Sequence, residues 1–296
     1  MTAFTVEQTV PLEIQCASPL ADMYTLSPFT WLQDGRYPLL LRAVNRSDIP
    51  EEKVSRIYYG ESADGLRFAM RDEPVIAPGP DAEDRDGCED PTIAILGDVS
   101  YVYYSGWNQN RKQGQLLLTA GRDILHLQKR GTAIPSSDQY ENPKEASIAS
   151  CPDGSWRLFF EYANGGTSNV GVASALDVAG PWTIQGTAFE ARKGGWDAWH
   201  LSPGPMVSLD PEHPIMFYNG ATREVKWRIG WIMFDKSLTR VVDRCDEPVI
   251  TPPAPKDDET DIAFVASAVV VDETIYLYYS VADKDLMRAT LRRDGP

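Results

Sequence analysis

The chain has 296 residues, 43% of them hydrophobic and 24% charged, which is enough apolar material for a sizeable core. Its 28 Lys and Arg stand against 43 Asp and Glu, a formal net charge of −15. That balance argues against nucleic acid or an anionic membrane as partner, because phosphate contacts need clustered cations.

No stretch approaches the roughly 20 apolar residues of a membrane span. The opening MTAFTVEQTVPLEIQ lacks a basic segment followed by an apolar one, so no secretion signal is read there. Cys16, Cys88, Cys151 and Cys245 lie far apart and make no CxxC pair. Reduced thiols in a cytoplasmic protein are expected.

Helical periodicity is poor, and 22 Gly and 22 Pro punctuate the chain. In chain order, strand-like runs come in matching groups. The first is SPFTWLQ, a DG turn at 34–35, PLLLRAVN (38–45) and SRIYYGES. The second is DPTIAIL, GD at 97–98, YVYYSGWN (101–108) and GQLLLTAG. EASIAS, DG at 153–154, RLFFEYAN (157–164) and NVGVASA form the third. GPMVSL, DPEH (210–213), IMFYNGAT (215–222) and RIGWIMFD form the fourth. VASAVVV, DE at 272–273, IYLYYSVAD (275–283) and DLMRATL form the fifth. The short Asp/Gly segments read as hairpin turns. EPVIAPG (73–79), GTAIPSS (131–137), GTAFEAR (186–192) and EPVITPP (247–253) recur between groups and read as linkers.

Anchored on Arg42, Ser105, Glu161, Asn219 and Ser280, the groups are spaced by 63, 56, 58 and 61 residues. Such repetition predicts an all-β fold, a five-bladed β-propeller with blades of three to four antiparallel strands. The N-terminal segment is expected to complete the last blade. Residues 1–296 then form a single catalytic domain. A β-sandwich is the rival, but it does not require five matching units.

In a propeller the first strand of each blade runs beside the central channel, so equivalent positions converge. Counting back from the anchors reaches Ser27, Asp90, Glu145, Gly204 and Val265. Two neighbouring blades thus offer Asp90 and Glu145 at one level, flanked by Glu89 and Lys144. Paired carboxyl groups suit glycoside chemistry, one donating a proton and one activating water or attacking. Like charges in contact also raise one pKa and keep one acid protonated. Arg42 and Glu161 are charged residues in otherwise apolar strands, a position that is costly unless the charge is paired or faces a wet channel. Tryptophan faces stack on sugars, and GGWDAWHLSPGP (194–205) is dense in Trp196, Asp197, Trp199 and His200. Trp107 and Trp227 also lie beside loops. GxSxG, Walker and GxGxxG motifs are not found, and the three histidines make no zinc pattern.

Several segments together resemble glycoside hydrolase family 130. LLLRAVN…SRIYYGESADGLRF followed by GCEDPTI is similar to its opening. KEASIAS, WDAWHLSPGPMVSLDPEHPIMFYNG and FVASAVVVDETIYLYYSVADKDLMRATL are similar to its later segments, and the likeness spans residues 25–293. The resemblance implies a five-bladed propeller acting on β-mannosides, as inverting phosphorylase or hydrolase, without cofactor or metal. It places the general acid on Asp90, the aspartate of the E-D-P motif. Three departures bear on phosphate. Thr92 stands for the arginine of E-D-P-R, Glu161 and Tyr162 stand where phosphorylases carry H-R-P, and Asn219 replaces the histidine of Y-H-G. Phosphate recognition needs several convergent cations, so these losses favour water as nucleophile.

The expected activity is therefore an inverting glycoside hydrolase on β-mannosides or related short glycans. Glu161 is the first choice as base and Glu145 the second. Arg42, Lys144, His200, Tyr218, Asn219, Asp197 and Asp283 are expected to hold the sugar, with Trp107 or Trp196 stacking on it. The alternatives are a phosphorylase on β-mannosyl disaccharides and a furanosidase-type five-bladed hydrolase. Ser27 counts against the latter, where an aspartate is commonly placed. The expected partner is an oligosaccharide, and the chain is free to act alone or as a homo-oligomer.

Overall fold

The computed structural model describes residues 3–256 and 259–294. Two strands, β1 (Ala3–Pro11) and β2 (Glu13–Gln15), precede five antiparallel meanders. The first meander is β3 (Tyr24–Thr30), β4 (Tyr37–Val44), β5 (Ser55–Ser62) and β6 (Arg67–Ile76). The second is β7 (Gly87–Leu96), β8 (Val99–Asn108), β9 (Gln113–Gly121) and β10 (Gln128–Ile134). The third is β11 (Glu141–Ser150), β12 (Trp156–Asn164), β13 (Thr167–Ala175) and β14 (Thr183–Phe189). In the fourth, β15 (His200–Ser202) and β16 (Met206–Val207) both pair with β17 (Ile215–Ala221), followed by β18 (Trp227–Phe234) and β19 (Val241–Arg244). The fifth is β20 (Ala263–Val271), β21 (Thr274–Val281) and β22 (Asp285–Asp294), and β1 pairs antiparallel with β22 as its outermost strand. Among the described residues helix is confined to three short 3₁₀ turns, and no helix is long and apolar enough to cross a membrane.

The turns fall where the sequence puts them. Asp34, Gly35, Gly97, Gly154 and Asp272 all take left-handed φ values, as tight hairpin turns require. The segments read as linkers are a correction. EPVI closes β6, and GTAI and GTAF close β10 and β14, so three of the four end the last strands of their meanders.

The apolar runs of the inner strands are explained by burial on both faces. Successive strand residues point to opposite sides of a sheet. Leu40 packs with Val102 and Tyr104 of the second meander, whereas Leu39 and Leu41 pack with Val269 and Tyr278 of the fifth. Tyr103 packs with Leu158 and Phe160 of the third. Phe159, Phe217, Trp231, Val265 and Tyr279 join the third, fourth and fifth. Each meander thus packs on the next, and the fifth packs back on the first.

Gly204 shows how tight this packing is. A β-carbon there would collide with the Phe217 carbonyl oxygen and with Val265. The fourth meander therefore cannot offer an acid at the level of Asp90. Gly204→Ala is expected to cost about 1–3 kcal/mol through overpacking, read as a lower urea midpoint. An unchanged midpoint would mean the neighbouring strands yield freely.

Candidate active site

Three innermost strands share one backbone irregularity. Ser27 in β3, Asp90 in β7 and Glu145 in β11 have φ of 50°, 46° and 49°. At each the pairing with the next strand slips, between Leu26 and Pro28, Glu89 and Thr92, and Lys144 and Ser147. These are bulges built on non-glycine residues in the left-handed region, a conformation costing roughly 1–3 kcal/mol each.

The bulge has a chemical consequence. On a regular strand Glu89 and Asp90 would face opposite ways. Here one guanidinium reaches both. Arg42 of β4 places Nη2 2.8 Å from Glu89 Oε1 and Nη1 3.0 Å from Asp90 Oδ1. Ser27 Oγ donates to the same Asp90 Oδ1 at 2.7 Å, and Ser55 Oγ donates to Glu89 Oε1 at 2.7 Å. On β11 the adjacent Lys144 and Glu145 likewise reach one cluster. Lys144 Nζ lies 3.4 Å from Glu161 Oε1 of β12, while the Glu145 side chain hydrogen-bonds Asp90. The Glu145 backbone N–H donates to Ser105 Oγ at 3.3 Å, tying β11 to β8.

Asp90 and Glu161 are buried and Glu145 is half-buried. Burial alone would push Asp90 up. The Arg42 guanidinium, the Ser27 hydroxyl, the Lys144 ammonium and the hydrogen bond from Glu145 outweigh it and hold Asp90 below its ordinary value. Desolvation, then the Asp90 charge, pushes Glu145 well above the carboxylate range against the pull of Lys144 and Arg42. Lys144 is raised chiefly by the charge of Glu161.

His200 opens β15, within electrostatic reach of Glu161. Its Nδ1 accepts the Ser168 backbone N–H at 3.0 Å, and its ring stacks on Trp227 with centroids 5.8 Å apart. Burial holds it below its ordinary value, with Glu161 and Lys144 acting in opposite directions. A ring whose Nδ1 is an acceptor is neutral and carries its proton on Nε2. Asp283 lies exposed in the β21–β22 turn, where its carboxylate accepts from Thr260 Oγ1 at 3.4 Å. It is within electrostatic reach of Arg42, Asp90 and Lys144. Trp107 of β8 stands opposite Gly87, beside the Ser55–Glu89 pair.

No family model matches the chain. In sequence it is 24% identical over 266 residues to a 1,2-β-oligomannan phosphorylase of Thermoanaerobacter sp. (strain X514), covering 84% of this chain and 83% of that protein. In structure it superposes on the β-1,2-mannobiose phosphorylase of Listeria innocua, solved with β-1,2-mannobiose, with a TM-score of 0.78 and 18% identity over 97% of this chain and 91% of that one. A second solved structure, TM-score 0.80 and 23% identity over 98% and 93% of the two chains, comes from work on the GH130 family of mannoside phosphorylases, which contains glycoside hydrolases that target β-1,2 mannosidic linkages in Candida mannan. In sequence and in fold the chain is similar to these mannoside-acting proteins.

The segments that resemble family 130 do not all reach the cluster. Asp197, expected to hold sugar, is wholly buried, with Arg192 Nη2 at 3.0 Å and Arg244 Nη2 at 2.6 Å from Oδ2. Tyr218 Oη donates to the same oxygen at 2.6 Å and is itself wholly buried. Trp196 stacks on Tyr218, centroids 5.3 Å apart, and its Nε1–H donates to the Asp246 carbonyl. Asn219 is also wholly buried. Its Oδ1 accepts the Val265 N–H at 2.7 Å and its Nδ2 donates to the Val265 and Pro203 carbonyls. All four side chains are engaged by the protein itself: Asp197, Tyr218 and Trp196 tie the segment after β14 to the fourth meander, and Asn219 ties the fourth meander to the fifth.

Sequence reasoning placed Ser27 at the level of Asp90 and Trp227 beside a loop without giving either this role, and missed Ser55 and Ser105 as parts of the cluster. Trp227 is the first residue of β18 and the platform under His200. Their only sequence signal is position. Ser27 sits at the counted-back level of Asp90, and Ser105 is itself an anchor.

Proposed function

We propose that the five meanders are the blades of one closed five-bladed β-propeller spanning 1–296, and that the Asp90 cluster is its active site. The reaction is inverting hydrolysis of a β-mannoside or related short glycan. The Asp90–Glu145 pair holds the proton for the leaving oxygen. Glu161 takes a proton from water as the water attacks the anomeric carbon from the opposite face, in the inverting geometry of two separated carboxyl groups. Arg42, Lys144, His200 and Asp283 line the cluster as candidates to position sugar hydroxyls, with Trp107 at its edge.

The observation that carries hydrolysis over phosphorolysis is the charge inventory. Glu89, Asp90, Glu145, Glu161 and Asp283 meet only two cations, Arg42 and Lys144, within the described cluster. Both cations are already paired with carboxylates, and His200 is neutral. An inorganic phosphate dianion would enter a site with no uncommitted positive charge among the described residues. A phosphorylase remains the second reading because the sequence relatives carry that name.

The test is a mass-spectrometric product assay on β-mannosyl disaccharides, β-1,2-mannobiose among them, with and without phosphate. Free mannose without phosphate is expected. Mannose phosphate formed only when phosphate is added would overturn the hydrolytic reading.

A further inference from the structure

The Asp90 and Glu145 side chains share a hydrogen bond, which requires a proton on one of the two carboxyl groups. Their surroundings differ. Asp90 Oδ1 accepts from Ser27 and from Arg42, and its side chain is only 2% exposed. Protonating it would leave the Arg42 guanidinium, itself largely buried, with Glu89 alone, and removing one partner of a buried pair is expensive. Glu145 has no Lys or Arg within ion-pair distance and no hydrogen-bond donor on its carboxyl group among the described residues, where its charged neighbours Glu89, Asp90 and Glu161 each have a cation. Its one hydrogen-bond partner is Asp90, to which it can only donate.

We propose that Glu145 is the group that delivers the proton to the leaving oxygen, and that Asp90 stays a carboxylate beside it, fixed by Ser27 and Arg42. This rests on the hydrolytic reading above and reverses the role that the sequence resemblance places on Asp90.

The step balances without a further reactant. The Glu145 proton passes to the glycosidic oxygen as the bond to the anomeric carbon breaks. Water supplies the new oxygen and loses one proton to Glu161. Glu145 leaves the turnover as carboxylate and Glu161 as acid, and solvent returns the proton from one to the other.

The groups that set the proton's place come from several strands. They are Glu89 and Asp90 on β7, Arg42 on β4, Lys144 on β11 itself, Glu161 on β12 and Asp283 on the β21–β22 turn. Around Glu145 the charges of Asp90 and Glu161 are set against those of Lys144 and Arg42, and burial, the largest cause, leaves the shift upward. Activity should therefore be lost as pH rises through the Glu145 pKa, since the donor form disappears there. In Asp90→Asn that alkaline limb should move to lower pH, because the charge that favours the protonated form is gone.

Two measurements decide it. The first needs no substrate. In wild-type protein carrying carboxyl-labelled glutamate, ¹³C NMR should show one glutamate titrating above the ordinary range, and that signal should vanish in Glu145→Gln. A Glu145 signal that titrates like a free glutamate would overturn the proposal. The second compares leaving groups. Glu145→Gln should lose roughly 10²–10⁴-fold on a β-mannosyl disaccharide, whose leaving alcohol needs a proton. It should lose far less on a dinitrophenyl β-mannoside, whose phenolate departs unaided. Equal losses on both substrates, or none on the disaccharide, would overturn it. Wild-type protein inactive on every β-mannoside would overturn the delivery role together with the hydrolytic reading. That failure is told apart by the titration, which still locates the proton.

Discussion

Asp197→Ala is expected to destabilise the fold by about 3–5 kcal/mol, the usual cost of removing one partner from a buried ion pair. The carboxylate is wholly buried and receives Arg192, Arg244 and the Tyr218 hydroxyl. Alanine would leave the Arg244 side chain, 12% exposed, without its anion and the Tyr218 hydroxyl without its acceptor. The Arg192 and Arg244 guanidinium groups also donate to the Cys245 and Glu190 carbonyls, so the segment Glu190–Asp197 would be held to the end of β19 by those backbone contacts alone. For a chain of this length the melting temperature should fall on the order of 5–10 °C. Asp197→Asn should cost less, because the amide still accepts one hydrogen bond. The same experiment separates scaffold from ligand. A sugar-binding aspartate would raise KM and leave the melting temperature in place. A shift of less than a degree with a large rise in KM would show that Asp197 belongs to the site after all.

Asp197 also shows where sequence reading goes astray. The sequence reading drew Asp197 from a tryptophan-dense segment that suits a sugar pocket, and took the charges of Arg42 and Glu161 as either paired or facing a wet channel, because a lone buried charge is prohibitive. Asp197, Tyr218 and Asn219 escape that cost by satisfying one another or the backbone, and no local pattern distinguishes the two cases. Arg42 and Glu161 follow the same rule and do join the cluster. What separates them is which meander they meet, a property of tertiary packing.

The repeat itself was legible because each middle strand is buried on both faces and so reads as a continuous apolar run. The outermost strands were not. They pack on one side only, carry Gly or Pro, and looked like linkers. Asp90 and Glu145 emerged from simple counting, since they lie 15 and 16 residues before their anchors, a spacing the matching bulges keep to within one residue. The bulges themselves stayed hidden. Serine and glutamate have no preference for left-handed φ and aspartate only a modest one, so tertiary contacts hold them there. Without that backbone geometry the sequence could not show that Glu89 and Asp90 share one arginine. Nor could it show that Glu145 turns to Asp90 while its neighbour Lys144 turns to Glu161.

Glu161→Gln should abolish most of the hydrolysis, lowering kcat by about 10²–10⁴-fold, the range supplied by a positioned general base. Glu161 is suited to that role by placement. It is buried on β12, paired in register with Lys144, and its one ion pair among the described residues uses Oε1 at the rather long distance of 3.4 Å. The second oxygen is free of ion pairs in the same set and can accept a proton from water. Glutamine keeps the size and the hydrogen-bonding shape but cannot accept that proton, so KM should change little. Azide supplies the decisive control. It attacks carbon without needing deprotonation, so it should restore turnover in Glu161→Gln and give the mannosyl azide of inverted configuration. The proton for the leaving sugar would still come from the Asp90–Glu145 pair. The same azide should do nothing for Glu145→Gln on a disaccharide, where the missing proton is on the leaving group. A Glu161→Gln protein that hydrolyses normally, or one that azide does not rescue while its fold is intact, would remove Glu161 as the base. Rescue of Glu161 alone would assign the two ends of the displacement to two different strands of the third meander, Glu145 on β11 and Glu161 on β12. The bulge at Glu145 would then be the feature that lets one hairpin supply both the acid and the base.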